Sequence, residues 1–98
     1  MAPGLTLEDV RSKRERILAL ARDHKAGRVR LFGSVVRGDA GPGSDVDFLV
    51  EFAPGASALD QVALVRELTA ALGVEVEVVS EKGLGRRHLA ILQEAVDL

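Results

Sequence analysis

Two short alternating segments joined by a glycine-rich stretch limit what this chain can fold into. Arg28-Val29-Arg30-Leu31-Phe32 alternates polar and apolar residues. Asp45 to Phe52 does the same, with Val46, Phe48, Val50 and Phe52 on one side and Asp45, Asp47, Leu49 and Glu51 on the other. A period of two is the pattern of a half-buried strand and does not suit a helix. Between them runs Gly33-Ser34-Val35-Val36-Arg37-Gly38, then Asp39 to Gly43 with its two Gly and one Pro, the composition of a surface loop. A strand that ends on Gly33-Ser34 and a second that opens on two acids place a tight turn and a carboxylate pair on adjoining elements.

The flanking sequence alternates helix and strand. Thr6 before Leu7-Glu8-Asp9 is a helix N-cap with acids in the first turn, and Val10, Ile17, Leu18 and Ala21 recur at helical spacing. The spacing predicts one amphipathic helix over residues 7–25, stopped by Gly27, after a tail at 1–5. Ala53-Pro54-Gly55 breaks the chain after the second strand. Leu59, Val62, Val65, Leu68 and Leu72 then mark a helix over 58–72 that ends at Gly73. Val74 to Val79 alternates as a third strand with Glu75 and Glu77 on one face, and a last helix is predicted over 86–97 with Leu89, Leu92 and Val96 inward. The expected fold is α/β (α+β): a small mixed sheet of about three strands packed by helices, forming one domain over residues 1–98.

Composition excludes several classes of function. A chain of 98 residues, 47% hydrophobic, builds one core. Its net charge of −2 argues against a broad nucleic-acid-binding surface. Without Cys there is neither a disulfide nor a Cys-ligated zinc or iron–sulfur centre. No apolar run approaches the length of a membrane span and no secretory leader is present, so a cytoplasmic location is the expectation.

Asp45 and Asp47 are the first candidate site. Side chains at i and i+2 of a strand share a face, with Cα atoms roughly 6.5–7 Å apart. Two carboxylates at that spacing repel, and one should titrate upward. A Mg²⁺ ion between them removes the conflict and prefers an all-oxygen shell. Two such ions could clamp the entering and leaving oxygens of a phosphoryl transfer. Glu77 is the natural third ligand if the second and third strands are neighbours, with Glu75 its competitor. Glu51 is too far along the strand to join.

Gly33 permits a sharp turn and lets a phosphate approach the backbone, while Ser34 offers a hydroxyl at the start of a short predicted helix. The Walker pattern is absent. Arg37, one helical turn on, could add charge to a phosphate or simply pair with Asp39. Arg37-Gly38-Asp39 also spells an adhesion tripeptide, a coincidence in a chain with no secretion signal.

Taken together, Gly33-Ser34-x-x-Arg37-Gly38 followed by Ser44-Asp45-x-Asp47 resembles the signature of the polymerase-beta-type nucleotidyltransferases, and the small size resembles their minimal nucleotidyltransferase family. The resemblance implies a polymerase-beta-like fold and Mg²⁺-dependent transfer of AMP from ATP to a hydroxyl. By it, Gly33 and Ser34 hold the triphosphate, and Arg37 and Ser44 complete the nucleotide-binding set. Asp45 and Asp47 bind metal, and Glu77 stands where the family usually has Asp. Such proteins are typically paired with a helical HEPN toxin, whose tyrosine is the acceptor, so the resemblance implies an antitoxin. The longer Glu at 77 motivates a second reading, a binding module that neutralises its partner by contact alone.

Overall fold

In the computed structural model, which describes residues 4–85 and 88–98, a four-stranded sheet forms the centre of the fold, in the order β3-β2-β1-β4. The chain runs α1 (Leu7–Arg11), α2 (Arg14–Asp23), β1 (Ala26–Phe32), α3 (Ser34–Arg37), β2 (Val46–Phe52), α4 (Ala58–Leu72), β3 (Val76–Ser80), a 3₁₀ turn (Glu81–Gly83), α5 (Leu89–Glu94) and β4 (Val96–Asp97). β1 pairs antiparallel with β2 and with β4, while β2 and β3 are parallel, so the sheet is mixed. Parallel neighbours need a crossover, and α4 supplies it.

Side-chain parity separates the two faces. Val29 lies opposite Val50 and Leu31 opposite Phe48, and this face carries the core with Val10, Ile17 and Ala21 from the first helices and Leu64, Leu68 and Leu72 from α4. On the other face Arg30 lies opposite Leu49 and Phe32 opposite Asp47. Arg30 is the buried cation there, 8% exposed, with Nη2 2.9 Å from Oε1 of Glu81. The approach is close but poorly aligned: Nε and Nη2 of Arg30 and Oε2 of Glu81 lack a hydrogen-bond partner.

Several boundaries differ from those predicted. The single helix over 7–25 is two. Ser12 Oγ donates to the carbonyl of Asp9 at 2.6 Å and Lys13 N–H bonds back to Val10, which closes the first helix. The six polar residues from Arg11 to Arg16 offer no apolar anchor to carry it through. Its inward face is as predicted, with Val10, Ile17 and Ala21 all buried. Gly27 is not the stop. The chain leaves α2 through Lys25 at φ 60°, and Gly27 sits in β1 where the register to β2 slips by a residue, as in a bulge.

Leu59 and Val62 do not point inward: they are 79% and 51% exposed, and the buried line of α4 is Leu64, Leu68 and Leu72. The last predicted helix is shorter, spanning Leu89–Glu94, with Leu89 exposed; Ala95 turns extended and Val96–Asp97 adds a fourth strand to β1. Its predicted start at residues 86 and 87 lies outside the described residues. Of the predicted tail, residues 1–3 also lie outside them, while Leu5 packs against the core.

Candidate functional site

Strand pairing alone assembles the site. Because β1 and β2 are antiparallel, the end of β1 meets the beginning of β2: Phe32 pairs with Asp47, and Gly33 follows immediately. Because β2 and β3 are parallel and in register, Asp47 in turn pairs with Glu77. One edge of the sheet therefore gathers the glycine turn and two acids that are thirty residues apart in sequence, and Asp45 adds its charge from just before β2. Glu75 precedes β3, so Glu77 is the one that faces Asp47.

Gly33 is buried, with φ 79° and ψ −154°, a conformation that only glycine adopts without strain. A Cβ built there would collide with the Asp47 carboxylate. The glycine thus does more than turn the chain, because its missing side chain is the space Asp47 occupies. Its carbonyl starts α3 by accepting from the N–H groups of Val36 and Arg37, both at 3.1 Å.

The acids are in electrostatic conflict. Burial pushes the Asp47 carboxyl up to about 6. A hydrogen bond with Glu77 and the negative charges of Glu77 and Asp45 push the same way, while the Arg37 guanidinium opposes them. This is the upward titration expected of a crowded pair, although the pair that touches is Asp47 with Glu77. The donor set is all hard oxygen, which suits Mg²⁺. No group of three His, Cys, Asp or Glu side chains among the described residues already stands at metal-holding separation, so the trio is clustered without being closed.

Arg37 lies near the acids but is engaged elsewhere: Nη1 is 2.7 Å from Oε1 of Glu94 and Nε 3.3 Å from Oδ2 of Asp39. The pairing with Asp39 was one of its two expected fates; Glu94, at the end of α5, gave no sequence signal. The Ser44 hydroxyl accepts from the Gly41 N–H at 2.9 Å, and the Ser44 N–H donates to the Gly41 carbonyl at 3.0 Å. It braces the loop that delivers Asp45.

The sequence matches the profile of the nucleotidyltransferase domain over residues 13–97. The chain belongs to that family. A Methanocaldococcus jannaschii relative, provisionally named a protein adenylyltransferase, is 38% identical over 86 residues, covering 87% of this chain and 92% of its own. A solved structure provisionally named a minimal nucleotidyltransferase superposes with a TM-score of 0.84 at 46% identity, covering 96% of this chain and 97% of that one. The fold is also that of a structure of a tri-AMPylated Shewanella oneidensis HEPN toxin in complex with an MNT antitoxin, at TM-score 0.67 and 21% identity over 89% of this chain and 69% of that chain. The polymerase-beta-like nucleotidyltransferase fold expected from the sequence is the one observed, with a fourth strand added. Within this minimal nucleotidyltransferase the described residues include no helix long and apolar enough to cross a membrane.

Proposed function

We propose that this nucleotidyltransferase moves AMP from ATP to a hydroxyl of a protein partner, a tyrosine of a HEPN-type toxin, and so acts as its antitoxin. The observation that carries the reading is the convergence of Gly33, Asp47 and Glu77 at one sheet edge. The relatives named adenylyltransferase or solved with an AMPylated toxin support the choice of nucleotide and acceptor.

In this reading the Gly33–Ser34 backbone receives the triphosphate, Arg37 and Ser44 flank it, and Asp45, Asp47 and Glu77 hold Mg²⁺. When bound, the metal supplies charge neutralisation at the reacting phosphate and polarises its oxygens. Asp47, half-buried, is the anchor of the carboxylate set. Glu77, more exposed, can meet an acceptor brought by a second protein and take the hydroxyl proton as the new oxygen–phosphorus bond forms and pyrophosphate leaves.

Label transfer decides the matter. The purified protein, its HEPN partner, labelled ATP and Mg²⁺ should give a labelled partner, and Asp45→Asn with Asp47→Asn should abolish the label. Equal labelling by that double variant would refute the reading. The contact-only alternative is motivated by the longer Glu77. It predicts that the double variant still silences the toxin in a growth assay without transferring label.

A further inference from the structure

Arg37 is held by two acids of different kinds. Asp39 is two residues away in the same loop and travels with it; Glu94 comes from α5, 57 residues on, and its side chain is 25% exposed against 61% for Asp39. α5 has no fully buried residue, and its Leu89 is exposed, so apolar packing holds it only lightly. The ion pair to Arg37 is a tether between this helix and the glycine turn.

We propose that Glu94 occupies on Arg37 the place of a nucleotide phosphate, so that polyphosphate binding displaces Glu94 and loosens α5. The inference rests on the nucleotidyltransferase reading above and adds to it a residue that sets nucleotide affinity. Asp39 takes the Nε side of the Arg37 guanidinium and Glu94 takes Nη1, and a phosphate, with more charge and more acceptor oxygens, outcompetes the single carboxylate at Nη1. Displacement also has an electrostatic reason. Asp45, Asp47 and Glu77 already crowd this edge, and Arg37 is near enough to Asp47 to oppose the rise of its pKa. A triphosphate arriving on Arg37 is better accommodated once the Glu94 carboxylate leaves it.

The test uses the full chain, Mg²⁺ and a non-hydrolysable ATP analogue, read by calorimetry and by amide hydrogen exchange. Glu94→Gln should bind the analogue about two- to fivefold more tightly, the range that the coupling of a partly exposed ion pair converts to. Arg37→Gln should bind more weakly, and the double variant no better than Arg37→Gln alone. In the wild type, amides of residues 89–94 should exchange faster when the analogue is added. A Glu94 that merely braces Arg37 predicts the reverse, with weaker binding by Glu94→Gln. A wild type that does not bind the analogue overturns the functional reading and this inference together. Binding by the wild type, with Glu94→Gln equal or weaker, overturns the inference alone. Should Glu94→Gln fail to fold, unchanged wild-type exchange at 89–94 overturns it just the same.

Discussion

Gly33 and Asp47 exclude one another's growth: a side chain on the first would fall on the carboxylate of the second. They are fourteen positions apart in the chain, and the antiparallel pairing of β1 with β2 brings them together. Gly33→Ala should therefore act twice. The backbone conformation costs a non-glycine residue roughly 1–3 kcal/mol, and the Asp47 side chain must swing aside. Thermal melts should report the first effect, and Mg²⁺ titration the second. A variant that loses stability but keeps wild-type metal affinity would contradict the contact.

Replacing Asp47 by Asn should raise the stability of the metal-free protein at neutral pH while removing transfer. The Asp47 carboxyl is shifted from an ordinary value of 3.8 up to about 6. Between those values the folded form keeps a proton the unfolded chain has lost, so the metal-free fold weakens as pH rises through that window. The Asn variant escapes this loss, and its advantage should vanish below about pH 4 and be complete above about pH 6. Stabilisation of the wild type by Mg²⁺ should grow over the upper part of the same range. Melting curves from pH 3.5 to 8, with and without Mg²⁺, check both trends.

Glu81→Gln should cost about 1–3 kcal/mol, because it removes the anion beside a buried guanidinium whose alignment is already poor. Arg30→Met in the same background should recover much of that loss, since a linear apolar side chain suits the site beside Leu49. Urea denaturation of the three proteins makes the comparison. An additive loss in the double variant would rule out the pairing.

The exposure pattern of α4 makes a sharper statement than its hydrophobicity. Leu68→Ala should cost about 2–5 kcal/mol as a core truncation, whereas Leu59→Ala should stay within about 0.5 kcal/mol. Two denaturation midpoints suffice to tell them apart.

What could be read from the sequence followed from period and punctuation. The run from Arg28 to Val79 was legible because alternation names strands, Gly33 and Pro54 mark the ends of two of them, and Gly73 ends the helix between. Asp45 and Asp47 followed by parity, which left Glu75 and Glu77 in competition on the condition that the second and third strands were neighbours; the parallel register meets that condition and sets Glu77 opposite Asp47. The break at Ser12 was not legible from helical spacing, which Val10 and Ile17 keep across it; its one trace was the polar run from Arg11 to Arg16, and the Ser12 hydrogen bond left none. On α4, apolar residues surround the axis, so Leu59 and Leu64 were equally good candidates for burial. Ala95 to Leu98 is too short to distinguish strand from helix by period. Glu94 was invisible for another reason: its partner, Arg37, is distant in sequence, and only the closure of β4 onto β1 returns α5 to the glycine turn.

The register between β2 and β3 also dictates which length changes this catalytic edge can survive. The loop stretches 39–40 and 53–56 lie between elements and can gain or lose residues without altering which side chains meet. A single residue inserted between Val76 and Glu77 would turn Glu77 to the core face opposite Phe48 and leave the inserted residue, in place of Glu77, opposite Asp47. Among variants of this chain, insertions should accumulate freely in those two loops and be absent from within either strand, even where every acid is retained.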